Sequence, residues 1–359
     1  MKAAVCYEAG KPLVIEDIDI EPPRKGEVKV RMAATAVCHS DIHAVKGEIP
    51  EEMPCVPGHE SAGYIEELGE GVTGVKVGDP VVVSLLASCG KCYYCTTGRT
   101  HMCEAEWYRD KESPYRTKTG QVLKQLVKMG SFAEYTIVNE SQVVKVPEDM
   151  PLDRASLLAC GVITGYGAVV NRAQVEVNNS CVIIGTGGVG LNAVQGAAIS
   201  GAYPIIAVDV SDSKLDAART FGATHTVNAE RDDAISAVKQ LTSGRGADYV
   251  FITVGSTSAM QQGFSMSGPR GMTVMVGLPR MGEELTFSPW AFIKDERVLT
   301  GSYMGTTRLK IEIPRLVTLY KAGILKLDEL ITGRYPLEQI NEAIDSVLRG
   351  EALRNVIVF

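Results

Sequence analysis

One stretch restricts the fold more than any other. A strand-like run, SCVII, leads directly into Gly185-Thr186-Gly187-Gly188-Val189-Gly190 and then into an alanine-rich segment. Gly185, Gly187 and Gly190 therefore stand at G-x-G-x-x-G spacing between a strand and a helix. In that context the first glycine permits a tight turn, the second lets the backbone approach a pyrophosphate, and the third lets helix and strand pack closely. A purely structural glycine turn in another α/β protein would look the same over these six residues. Asp209 separates the two readings: it ends the next strand-like run, IIAVD, about twenty positions on, where a carboxylate accepts hydrogen bonds from the adenosine ribose. A carboxylate also repels a 2′-phosphate, and no arginine follows immediately, so the expected cofactor is NAD(H).

The flanking sequence agrees with a doubly wound parallel sheet. From about Asp153 onward, apolar runs such as YPIIAVDV, ADYVFITVG and GMTVMVGLP alternate with helical stretches such as SDSKLDAARTFGA. The opening third differs: MKAAVCYE, LVIEDIDI, EVKVRMAATAV, SAGYIEELG and DPVVVSLL are short strand-like runs punctuated by glycine and proline, as in a β-rich, barrel-like domain. After LTGSYMG come helix-like segments around PRLVTLYKAGIL and LEQINEAIDSVLRG and a strand-like ALRNVIVF, a tail read as returning to complete the first domain. A chain of 359 residues is expected to form two domains with a cleft between them.

With 45% apolar and 22% charged residues the chain is an ordinary globular one. A net charge of -7 without a basic block argues against nucleic acid as a partner. No run is long enough to span a bilayer, and the N-terminus lacks the apolar core of a secretory leader. Nine cysteines, four of them in one tight cluster, do not resemble a disulfide framework, so a reducing, cytoplasmic setting is expected.

That cluster is SCGKCYYCTTGRTHMC, carrying Cys89, Cys92, Cys95 and Cys103. Thiolates three apart on a tight loop can turn toward one cation, and four sulfurs leave no open position, which suits a structural zinc. An iron-sulfur cluster and redox-active disulfides are the competing readings. His101 lies in the same stretch and is read as a solvated loop residue.

Three further candidates, Cys38, His59 and Cys160, are far apart in sequence, and spacing alone would not join them. At these residues the chain resembles the zinc-containing alcohol dehydrogenases of the medium-chain dehydrogenase/reductase superfamily. The resemblance rests on GHESAGYIEELGEGV (58–72), the Cys89–Cys103 lobe, ACGVITGYGAV, GTGGVG and LRNVIVF, and covers essentially the whole chain. It implies a GroES-like β-rich catalytic domain, residues 1–160 completed by 304–359, and a Rossmann NAD-binding domain, residues 161–303.

By position, the resemblance makes Cys38, His59 and Cys160 the ligands of a catalytic zinc with a fourth place open. Glu60 would be a neighbouring or exchanging carboxylate, and Asp41 would hold the ligand histidine in one tautomer. Ser40 and His43 match a proton relay in which a hydroxyl passes the substrate proton, through the cofactor ribose, to an imidazole at the surface. His39 stands where relatives carry a basic residue at the pyrophosphate, and Gly188 belongs to the phosphate loop. Thr164 and Val189 would lie against the nicotinamide, Val276 would contact the cofactor, and Lys214 would lie near the adenosine ribose and Arg354 near the pyrophosphate. Cys6, Cys55 and Cys181 have no matched role and are expected to be buried thiols.

The implied reaction is reversible oxidation of a primary or secondary alcohol to an aldehyde or ketone, with two zinc ions per chain and NAD(H). Three alternatives are a glutathione-adduct dehydrogenase of the same family, a zinc-free reductase of the superfamily, and a non-catalytic nucleotide-binding protein. Residues 104–130 are read as a loop bordering the substrate pocket. A homodimer or homotetramer is expected, joined at sheet edges through GMTVMVGLP.

Overall fold

The computed structural model describes all 359 residues and divides into two units, Met1–Cys160 with Arg308–Phe359, and Gly161–Thr307. No helix is long and apolar enough to cross a membrane.

The first unit is built on two sheets. The larger has seven strands around Glu27–Ala36. Glu60–Leu68 pairs along one side of that strand, while Tyr135–Asn139 and Arg354–Val358 share its other side. Pro80–Ser84 and Val143–Lys145 extend the sheet one way and Ile331–Pro336 extends it the other. The period-two pattern of EVKVRMAATA turns Val28, Val30 and Met32 inward onto Ile65, Val81, Val83 and Val138. The smaller sheet runs Lys2–Val5, Val14–Ile20, Tyr115–Thr117, Val122–Gln125, Cys55–Val56. The tail contributes the helices Leu309–Lys321 and Ile340–Leu348 besides its two strands.

The stretch 104–130 is therefore more than the single loop that its composition suggests. Tyr115–Thr117 and Val122–Gln125 form an antiparallel hairpin within the smaller sheet. Tyr115 is fully buried and donates its hydroxyl to the carbonyls of Gly130 and Tyr135, both at 3.0 Å. The side chain of Arg109 is nearly covered as well, reaching both carboxylate oxygens of Glu27 at 2.9 and 2.7 Å. Polar and aromatic residues that make the segment look solvent-facing are thus satisfied largely by groups beyond it, Glu27 and Tyr135 among them.

The second unit contains a six-stranded, all-parallel sheet. Its strands are β1 (Cys181–Ile184), β2 (Ile205–Asp209), β3 (His225–Asn228), β4 (Ala247–Ile252), β5 (Ser267–Met275) and β6 (Val298–Gly301), in the spatial order 3-2-1-4-5-6. This is the doubly wound order of a Rossmann fold. Helices Gly188–Ile199, Asp212–Thr220, Ala234–Leu241, Thr257–Met266 and Pro289–Asp295 follow the first five strands in turn. Covered on both faces, the core strands read as continuous Val/Ile runs rather than alternating ones.

One expectation fails in this sheet. GMTVMVGLP falls largely on β5, which is hydrogen-bonded to β4 on one side and β6 on the other. Its backbone groups are already used, so it offers no edge to a second copy; the free edges are β3 and β6.

Candidate active site

Helix His39–Val45 starts where the strand Glu27–Ala36 runs out. It is anchored by Ile42 and Val45, which pack into a cluster with Ala4, Val37, Phe132 and Ile340. Burying two such side chains contributes about 1.5–3 kcal/mol each, which fixes the opposite face of a helix only seven residues long. On and just before its first turn are Cys38, Ser40 and Asp41. His59 immediately precedes the strand Glu60–Leu68. Cys160 lies in a π-helical turn, Leu158–Val162, that follows the helix Leu152–Leu157; such turns re-aim side chains and recur at functional sites.

These elements bring Cys38, His59 and Cys160 together: all three are buried, and one ligand atom of each lies within 4.8 Å of the others. The neighbouring donors of a tetrahedral zinc thiolate site are about 3.8 Å apart. Asp41 holds the assembly at three points. Its Oδ1 accepts from His59 Nδ1 at 2.8 Å and from the Gly58 backbone N–H at 3.0 Å, while its Oδ2 accepts from the Cys38 N–H at 3.4 Å. With Nδ1 so committed, Nε2 is the imidazole atom left for a metal.

The electrostatics of the pocket favour anionic sulfur. Contact with Cys160 holds the Cys38 thiol well below its ordinary pKa against the opposing effect of burial, and His59 and Arg354 add to the lowering. Cys160 is correspondingly pushed up by Cys38 and by burial, so the pair behaves as two thiols of which one ionises first. Burial works against a charged His59, but Asp41 and Cys38 outweigh it and raise its pKa well above the ordinary value. Buried Glu60 does not join the three donors; its Oε2 is 3.4 Å from Nη1 of buried Arg354. Two soft sulfurs, one imidazole and compensating charges form a donor set that fits zinc and that an apolar core would not otherwise hold.

Ser40 Oγ is 3.8 Å from Cys38 Sγ. His43, on the same helix, is half-buried and its Nδ1 is hydrogen-bonded to Glu48. His39 is exposed, with its ring centroid 6.4 Å from that of His43.

The second donor set is Cys89, Cys92, Cys95 and Cys103, again with all sulfurs within 4.8 Å. Backbone N–H groups of Lys91 and Cys92 point at Cys89 Sγ at 3.5 and 3.3 Å, and that of Cys95 points at Cys92 Sγ at 3.5 Å. The Cys95 N–H helps bring the Cys92 thiol down to about 6, whereas burial pushes Cys95 up to about 12. Donors aimed at sulfur stabilise thiolates, and four of them make a closed shell that fits a structural zinc. His101 stands outside this set and is half-buried rather than solvated. Cys6, Cys55 and Cys181 are free, fully buried thiols.

In the second unit the loop after β1 has the geometry that a dinucleotide needs. Gly185 has φ +85°, and a Cβ there would fall 2.3 Å from Val254 Cγ1; a Cβ on Gly190 would fall 1.8 Å from the Gly185 carbonyl oxygen. Gly187 faces open space, and Gly188 and Val189 begin the helix. Asp209 closes β2 and binds this loop, its Oδ2 accepting from the Thr186 N–H at 2.7 Å and hydroxyl at 3.0 Å. Thr253 donates its hydroxyl to the Gly185 carbonyl at 2.7 Å. Half-buried Thr164 precedes Gly165, whose Cα side lies so close to Val189 that a Cβ would meet its carbonyl at 2.1 Å. Half-buried Val276 follows β5, its N–H bonded to the Ile252 carbonyl at 2.9 Å, and half-buried Lys214 is on the helix after β2.

Sequence reasoning did not identify Thr186, Thr253 or Glu48. Thr186 occupies an unconstrained place in the glycine motif, and Thr253 ends β4 without a motif of its own. Glu48 is five residues from His43, a spacing that no regular helix brings together.

Comparison with known proteins gives concordant matches. The family described as alcohol dehydrogenase GroES-like domain matches residues 24–148, and that described as zinc-binding dehydrogenase matches residues 188–322. The chain is 39% identical over 366 residues to the NDMA-dependent alcohol dehydrogenase of Amycolatopsis methanolica, covering 99% of this chain and 98% of that one. It is 36% identical over 369 residues to the S-(hydroxymethyl)glutathione dehydrogenase of Saccharomyces cerevisiae, with 99% and 95% covered. A crystal structure of an alcohol dehydrogenase zinc-binding domain protein from Burkholderia ambifaria matches with a TM-score of 0.95 at 35% identity, covering 100% of this chain and 98% of that one.

Proposed function

Because the chain belongs to the zinc-containing alcohol dehydrogenase family of the medium-chain dehydrogenase/reductase superfamily, we propose how its own residues divide the work of that chemistry. The protein is a zinc-dependent alcohol dehydrogenase that exchanges hydride between a primary or secondary alcohol and NAD(H). Its cofactors are NAD(H) and two zinc ions, one catalytic and one structural.

In this reading Cys38, His59 and Cys160 hold the catalytic ion, and Cys89, Cys92, Cys95 and Cys103 hold the structural one. The observation that carries it is the convergence of three buried donors from distant parts of the chain, with His59 Nδ1 already committed to Asp41. When bound, zinc supplies positive charge where the substrate hydroxyl loses its proton, and NAD supplies the hydride acceptor. Ser40 accepts that proton and His43 carries it toward solvent, which leaves the site free of an accumulating charge. Asp41 keeps His59 in one tautomer, and Arg354 balances Glu60 beside the sulfurs. Asp209 receives the adenosine ribose and Gly187 leaves room for the pyrophosphate, with Thr164, Val189 and Val276 lining the nicotinamide.

The free thiols and the two sulfur-rich sites call for a reducing compartment, and we assign the enzyme to the cytoplasm. A homodimer or homotetramer is supported by the free edge of β6. Exposed Trp290, Ile293, Met281 and Val298 on or near that strand in sequence are apolar side chains that a second copy would cover.

Metal analysis coupled to turnover tests the assignment. Wild-type protein should carry two zinc ions per chain, and Cys38→Ser one. Cys38→Ser should form no NADH from any alcohol while keeping its circular dichroism spectrum. Full turnover by that variant, or by metal-stripped protein, would refute it.

A further inference from the structure

We propose that Glu48 is the positioning residue of the proton relay: its carboxylate fixes the tautomer of His43 and receives the positive charge when that imidazole is protonated. The inference rests on the reading of His43 as the relay histidine and adds to it a group that no motif marks.

The geometry is specific. Helix His39–Val45 ends at Lys46, and Gly47 follows with φ +74°, where an added Cβ would also come within 2.9 Å of Ala9 Cβ. This left-handed step reverses the chain, so that the Glu48 N–H donates to the His43 carbonyl at 2.9 Å. The same reversal carries the Glu48 side chain back over the helix end, where Oε2 pairs with His43 Nδ1. Glu48 is thus tied to one residue twice, through backbone and through side chain. Both side chains are about two-thirds or more buried, at 34% and 26% exposure, so the contact is more than a mobile surface pair.

An ionised carboxylate only accepts hydrogen bonds. The proton of neutral His43 is therefore held on Nδ1, and the lone pair of Nε2 is left to take up the relayed proton. In that step an O–H bond of the donor breaks, an N–H bond forms at Nε2, and the resulting imidazolium keeps its Nδ1–H on Glu48, so charge develops next to a compensating anion. Without Glu48 the neutral ring is free to place its proton on either nitrogen and to rotate away.

Steady-state kinetics on the zinc-loaded enzyme test this, with wild type, Glu48→Ala, Glu48→Gln, His43→Ala and the Glu48/His43 double alanine variant compared at neutral pH, each with and without added imidazole. Glu48→Ala should lower kcat about tenfold with little change in KM for NAD. Glu48→Gln, which can still accept from Nδ1, should recover part of the loss. The double variant should be no slower than His43→Ala, and imidazole should restore turnover to all the alanine variants. Independently of activity, nitrogen-15 NMR of wild type should show His43 protonated at Nδ1. Wild-type kcat in Glu48→Ala beside a slow His43→Ala, or an Nε2–H tautomer in wild type, overturns the role of Glu48 and leaves the relay standing. Undiminished turnover by His43→Ala removes the relay itself.

Discussion

The carboxylate of Asp41 accepts the Nδ1 proton of His59 at 2.8 Å, with both side chains almost wholly out of solvent. The bond orients the imidazole and raises the basicity of the nitrogen that faces the two sulfurs. Asp41→Asn retains the shape but not the charge. It is expected to weaken zinc binding at the Cys38 site by roughly 10–100-fold, measured by competition with a chromogenic chelator, while the four-cysteine site keeps its ion. Equal retention at both sites would count against the role given to Asp41.

Asp209 holds the Thr186 turn, and the proposed function also gives it the adenosine ribose. Replacing it by glycine removes hydrogen bonds to a charged acceptor, each contributing about 1.5–3 kcal/mol. The KM for NAD should rise on the order of tenfold or more, and discrimination against NADP should shrink because the repelling charge is gone. Both follow from initial rates with each cofactor; an unchanged NAD/NADP ratio would show that selectivity lies elsewhere.

Two glycines of the same loop should respond differently to alanine. At Gly190 the new methyl group would overlap the Gly185 carbonyl oxygen, so loop or helix must move, at a cost of about 3 kcal/mol or more in urea unfolding. At Gly187 the methyl group meets nothing, so stability should hold while NAD binding weakens. The contrast separates packing from ligand approach in a single motif.

Acid should loosen the first unit through Asp153, which contacts Arg154 at 2.7 Å and Arg334 at 2.8 Å. Burial raises its pKa, but the two guanidinium groups prevail and hold it below the ordinary 3.8. A carboxylate depressed in the folded state stabilises above its unfolded pKa, and that stabilisation is lost as pH falls through the folded value. Asp153→Asn should therefore be less stable than wild type by about 1 kcal/mol at pH 7, and the gap should close as pH falls below 3.8 and through the lower folded value. A gap constant across that range would mean that the ion pairs contribute nothing.

The parts of this structure legible in the sequence are those in which local chemistry and position coincide. The glycine loop, Asp209 and the four closely spaced cysteines each carry their reason within a few residues. Cys38, His59 and Cys160 do not: what joins them is a strand end, a residue before a second strand and a π-helical turn, so they were read only through family resemblance. The hairpin Tyr115–Gln125 escaped notice because its strands are three and four residues long and its polar groups are satisfied from outside the segment, as Arg109 is by Glu27. The helix Leu309–Lys321 starts five residues before the proline at which its pattern becomes evident.

The strand Arg354–Val358 is held between Glu27–Ala36 and Ile331–Pro336 in the larger sheet, and its first residue reaches the sulfur of Cys38 electrostatically. During synthesis the whole nucleotide-binding unit therefore emerges from the ribosome before the sheet begun by the N-terminal residues can close. A chain ending at residue 307 would hold every strand of the Rossmann sheet, while its larger sheet would lack two strands and its metal pocket would lack Arg354.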